Sequence, residues 1–231
     1  LLGFSLAPSR LAAVGWVVLR SDLAEALRGG KWACLTNVLY FFRIQAHTIV
    51  VASLTGPAGV AKLNAARLFI TPAVMLTPAL AQVALPRMTQ SFRDDIARFR
   101  KQGRLLSATL LTVALAYSVL ILMFVDKLAP LLIGDAYGSM FWMVAAWSAY
   151  ACVLSLRNGQ EIGLVAMKDF YLQSKANTLA ALVGLPLVWV LTVGSAELGA
   201  ILGLLAMELL LIGIVHVQTR RRPGPIFGPS K

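Results

Sequence analysis

Arg43, His47 and Arg67 are the residues whose chemistry stands out first, because each lies inside a long apolar stretch where a cation has no obvious partner. Trp32 to Leu54 spans 23 residues, about 34 Å as a helix, enough for a hydrocarbon core of about 30 Å. At about 100° per residue, Thr36, Tyr40, Arg43 and His47 fall within about 60° of arc, and Gln45 points the other way. In the next apolar stretch, Asn64, Arg67, Thr71 and Gln82 share a face of a helix that Pro72 and Pro78 kink. Two neighbouring polar stripes predict one shared cavity, with guanidinium forks for an anionic group and Tyr40, Asn64, Thr71 and Gln82 for hydroxyls. The competing reading is that Arg43 and His47 snorkel or pair with carbonyls inside a packed bundle and hold no ligand. An arginine near mid-membrane costs at least ~2.5 kcal/mol on insertion scales, which favours the cavity.

Three further charged residues invite a coupling or gating role. Arg157 and Glu161 stand four residues apart, the spacing of a salt bridge on one helix face. Glu208 stands by itself among Leu, Met and Ile, as either a protonated, hydrogen-bonded carboxyl or a proton-coupling carboxylate. Cys34 and Cys152 show neither metal spacing nor a paired motif and read as small packing residues. No hydrolase, phosphate-loop or zinc motif occurs, so no catalytic residue, metal or cofactor is expected.

The elements that must position these residues are membrane helices. Hydrophobic residues are 58% and charged residues 13%, an apolar excess that a soluble core of 231 residues would bury with difficulty. The formal charge of +11 comes from residues between apolar runs, which fits loops at a membrane surface and not a nucleic-acid partner. Besides the two stretches above, spans are expected at Leu105 to Val125, Met140 to about Met167, Asn177 to Val193 and Leu198 to Val217. The expected fold is therefore all-α, a polytopic transmembrane helical bundle of about six complete spans with one partial span at the N-terminal end. Residues 1–30 read as the end of a preceding span and an amphipathic connector, with Asp22 and Glu25 at a helix start and Gly29 and Gly30 ending it. Residues 31–217 hold the six spans, and residues 218–231 form a basic tail. The run MTQSFRDDIARFRKQGR predicts a basic amphipathic helix on the membrane surface, with Phe92, Ile96 and Phe99 on its apolar side. The connectors at 20–31, 87–104, 157–175 and 220–231 hold most of the 21 Lys and Arg, which places them and the C-terminus in the cytoplasm.

GPAGVAKLNAARLFITPAVMLTPALAQVALPRMTQSF resembles a pattern in which a Gly-rich turn leads to a small-residue helix ending in Leu-Pro. LAPLLIGDAYGSMFWMVAAWSAYACVLSLRNGQEIGLVAMKDF is similar to a junction in which a Gly-containing outer turn enters a long span. Together they resemble the C-terminal lobe of the polysaccharide flippases, which move O-antigen or other lipid-linked oligosaccharides. That family lies in the superfamily that also holds multidrug and toxin extrusion antiporters and peptidoglycan lipid flippases. The resemblance implies two lobes, alternating access, an inner-membrane location and a cationic cavity for a polyprenyl-diphosphate-linked oligosaccharide. Implied partners are that lipid, the surrounding membrane and an N-terminal lobe. Only the cationic character transfers, onto Arg43, His47 and Arg67 by position. A multidrug or cation antiporter of the same superfamily is the alternative. A membrane enzyme acting on lipid-linked sugars is the reading from another class, and the short outer connectors disfavour it.

Overall fold

The computed structural model describes residues 16–134 and 140–220, and all of their regular structure is helical. The five helices are α1 (Trp16–Leu68), α2 (Thr71–Asp94), α3 (Ile96–Ile133), α4 (Phe141–Ala166) and α5 (Phe170–Arg220). The expected partial span at the N-terminal end lies largely outside the described residues, as does nearly all of the basic tail. Among the described residues three stretches, Cys34–Leu68, Ile96–Ile133 and Phe170–Gln218, are long and apolar enough to cross a membrane. Large apolar side chains face outward on all five helices, among them Phe41, Met75, Met123, Trp142 and Leu182. Such a belt suits lipid and not water.

α4 lies at the centre of the bundle. Fourteen of its 26 residues are buried, and it packs against each of the other four helices. α1 packs chiefly on α5, α5 also on α4, and α2 fills the angle between α3 and α4. Small residues permit the closest crossings. A Cβ at Gly203 would sit 2.6 Å from the Cα of Val188, and one at Gly159 would sit 2.9 Å from the Cα of Ser107.

The two longest helices are each broken once. In α1 the break is at Gly56, whose φ of 73° an L side chain rarely adopts. Pro57 follows at the start of the next helical stretch, where its missing N–H leaves nothing unpaired. Ser53 and Thr55 donate their hydroxyls to the carbonyls of Val50 and Val51, at 2.8 and 3.0 Å, near the end of the first stretch. In α5 the break is at Ser195 and Ala196, and Ala196 is held at φ 49°. A third break, between α1 and α2, falls at Phe69 and Ile70, with Pro72 in the first turn of α2. Side chains take over carbonyls there: Tyr117 donates to Phe69 O at 2.8 Å and Thr71 to Arg67 O at 3.0 Å. Within an apolar bundle, such backbone groups need an internal partner.

Two local expectations are corrected. The run after Arg87 does not form a separate surface helix: α2 continues to Asp94, and α3 starts at Ile96. Asp95 turns the corner, its Oδ1 accepting the backbone N–H groups of Ala97 at 2.8 Å and Arg98 at 3.2 Å. Phe99 is buried and meets Phe92 edge to face across that corner, so the periodic aromatics close a joint. The polar connector before Trp32 is likewise continuous helix through Gly29 and Gly30. Glycine weakens a helix by about 1 kcal/mol without breaking it, and no proline is present there to enforce a stop.

Candidate functional site

The stripe on α1 points inward, as its spacing requires. Thr36, Arg43 and His47 are buried, Tyr40 is half-buried, and Gln45 is exposed. Opposite them α5 presents Glu208, which is 1% exposed. Arg43 Nη1 lies 3.4 Å from Glu208 Oε1, and Arg157 Nε of α4 lies 2.9 Å from Glu208 Oε2 without aiming its N–H at that oxygen. One carboxylate thus faces two guanidinium groups from two other helices. Arg157 Nη1 reaches Glu161 Oε2 at 2.7 Å, the expected bridge over one helical turn. Its Nη2 donates to Asn158 Oδ1 at 2.8 Å. Gln173 of α5 completes the set by donating Nε2 to Glu161 Oε1 at 2.7 Å. The Tyr40 ring lies between the two cations, 5.4 Å from Arg43 Cζ and 5.6 Å from Arg157 Cζ. Two cations and two carboxylates leave the network without net charge, the condition under which buried ions are tolerated.

A second cluster forms around Trp147 of α4. His47 packs its ring edge to face at 5.7 Å, Tyr150 does so at 5.4 Å, and Arg67 holds Cζ 5.6 Å from the ring centre. The indole donates to Leu63 O at 3.3 Å, and His47 Nε2 lies 3.4 Å from the Thr48 hydroxyl. Nε and Nη2 of Arg43 and Nδ1 of His47 are buried without a hydrogen-bond partner among the described residues.

Beside the ion network a cavity of about 380 Å³ opens between α1, α2, α4 and α5. Thr36, Asn37, Tyr40, Thr77, Asn158, Glu161 and Gln173 supply its polar wall, and residues such as Val74, Leu154, Ile162 and Phe170 its apolar one. Of the sequence-derived candidates, Tyr40 and Glu161 line it. Arg43, Arg157 and Glu208 form the ion network behind it, whereas His47 and Arg67 gather at Trp147. The break at Phe69 and Ile70 resets the register of the second stripe. Asn64 and Gln82 are exposed, and Thr71, at the start of α2, caps the Arg67 carbonyl at the end of α1. Asn37, Thr77, Asn158 and Gln173 are polar lining residues that sequence reasoning left out of the site. Asn158 carried a signal in its place beside Arg157, but Gln173 is recognisable only through its partner on another helix. Among the described residues no group of His, Cys, Asp and Glu is arranged to hold a metal ion. Compared with protein-family models, with curated proteins and with solved structures, the chain finds no match.

Proposed function

We propose that this chain is a lobe of an alternating-access membrane transporter that moves a polyprenyl-diphosphate-linked oligosaccharide across the cytoplasmic membrane, with its C-terminus in the cytoplasm. In this reading the six crossings are the first stretch of α1, its second stretch together with α2, then α3, α4 and the two stretches of α5, and no bond in the cargo changes. The observation that carries the reading is the cavity, where amides and hydroxyls face an apolar wall between four helices of the bundle. Sugars present the same two characters, polar edges and apolar ring faces. The resemblance to polysaccharide flippases points the same way.

A cation or drug antiporter is the second reading, favoured by Glu161, the one charged residue on the cavity wall among the described residues. Proteoliposomes holding the full-length transporter separate the two. A fluorescent polyprenyl-diphosphate disaccharide should become accessible to a membrane-impermeant quencher only when protein is present, and a lipophilic cation should not be moved. Cation movement without movement of the lipid would replace the first reading by the second.

A further inference from the structure

We infer that the cavity is built to select against acidic sugars and that Glu161 is the residue that sets this preference. The inference rests on the transport reading and names the class of sugar it would accept. Nη1 and Nη2 of the Arg157 guanidinium are already held by Glu161 and Asn158, and its Nε lies 2.9 Å from Glu208 on the side away from the cavity wall. Its side chain is 4% exposed, whereas that of Glu161 is 26% exposed. Of that ion pair, the carboxylate is the half that reaches the cavity. Arg43, His47 and Arg67 are not among the lining residues.

Besides Glu161, the wall groups with spare hydrogen-bonding capacity are neutral. Asn158 uses its oxygen on Arg157 and Gln173 its nitrogen on Glu161, which leaves an amide donor and an amide acceptor. Thr36, 5% exposed, carries a hydroxyl with no partner among the described residues. These groups match sugar hydroxyls and N-acetyl groups. A uronate or sialate would meet the Glu161 carboxylate in a cleft where like charges are poorly screened. A volume of about 380 Å³ suits a small ring-bearing head and not a long chain.

Two probes test this, sharing one short-chain prenyl diphosphate. One bears a neutral disaccharide, and the other bears the same disaccharide with its terminal sugar oxidised at C6 to the uronic acid. Binding to the full chain in lipid nanodiscs is measured for both, so the common diphosphate cancels in the ratio. The neutral probe should bind on the order of tenfold tighter. Glu161→Gln removes the carboxylate charge and releases Arg157 Nη1 towards the cavity, so the ratio should fall to about one or invert. Asn158→Asp keeps an oxygen for Arg157 Nη2 while adding a wall charge, and should weaken the acidic probe by a further factor on the order of ten. Equal affinities in the unaltered chain, or an acidic probe indifferent to Asn158→Asp, would overturn the charge selection and leave the transport reading standing. Failure of both probes to bind the unaltered chain would remove both.

Discussion

Arg43 and Arg157 share one carboxylate, but they depend on it unequally. Arg157 lies 2.9 Å from Glu208 and also holds Glu161 at 2.7 Å, whereas Arg43 approaches Glu208 no closer than 3.4 Å. Removing Arg43 leaves Glu208 with its nearer partner. Removing Arg157 strips the nearer partner from Glu208 and the helical-turn partner from Glu161 at once. Arg157→Ala should therefore cost about 3–5 kcal/mol, the range for breaking a buried pair, and Arg43→Ala distinctly less. Thermal unfolding in detergent and membrane abundance should both rank the proteins unaltered, Arg43→Ala, Arg157→Ala, and the opposite order would sink the network as described. The spacing of Arg157 and Glu161 made their bridge legible in the sequence. That Glu208 belongs with them was not legible, because the pair it forms with Arg43 closes across 165 residues and no local pattern encodes that distance.

Among the elements, the helix breaks show where local chemistry speaks plainly and where it does not. Gly56 with Pro57 announces a turn, since one tolerates positive φ and the other starts a helix. Ser195 and Ala196 break α5 at the place where the last two apolar stretches were separated in the sequence, but with a residue ill suited to the conformation. An L side chain at positive φ costs on the order of 1–2 kcal/mol, so Ala196→Gly should raise stability by roughly 0.5–1 kcal/mol after the entropy that glycine adds to the unfolded chain. A melting temperature unchanged or lowered by Ala196→Gly would contradict the strain at this break. The corner at Asp95 was misread because Phe92, Ile96 and Phe99 keep helical spacing across it. Periodicity reports which side chains share a side and not whether the backbone between them is continuous. The inward stripe of α1 was read correctly for the opposite reason: its helix runs unbroken from Thr36 to His47.

For the molecule as a whole, orientation follows from the distribution of positive charge. α3 is 38 residues long, about 57 Å, so it projects well beyond a hydrocarbon core of about 30 Å. Its exposed basic end, Arg98, Arg100, Lys101 and Arg104, is the part expected on the cytoplasmic side. With Cys34 and Cys152 replaced, a cysteine at position 96 should react with an impermeant thiol reagent only from the cytoplasm, and one at position 58 only from outside. Reaction of position 96 from outside would invert the molecule. The composition made the helical, membrane-crossing character legible from the outset. Which polar residues meet at the cavity was not, because α4 gathers them from helices far apart in the chain. The carboxylate shared by two arginines also sets an order of events during synthesis. The ribosome makes Arg43 and Arg157 long before Glu208, so the growing chain enters the bilayer with both cations lacking that counter-ion. The last half of α5 retires both debts in one step, and a nascent chain stopped short of it carries a mark of incompleteness into the membrane.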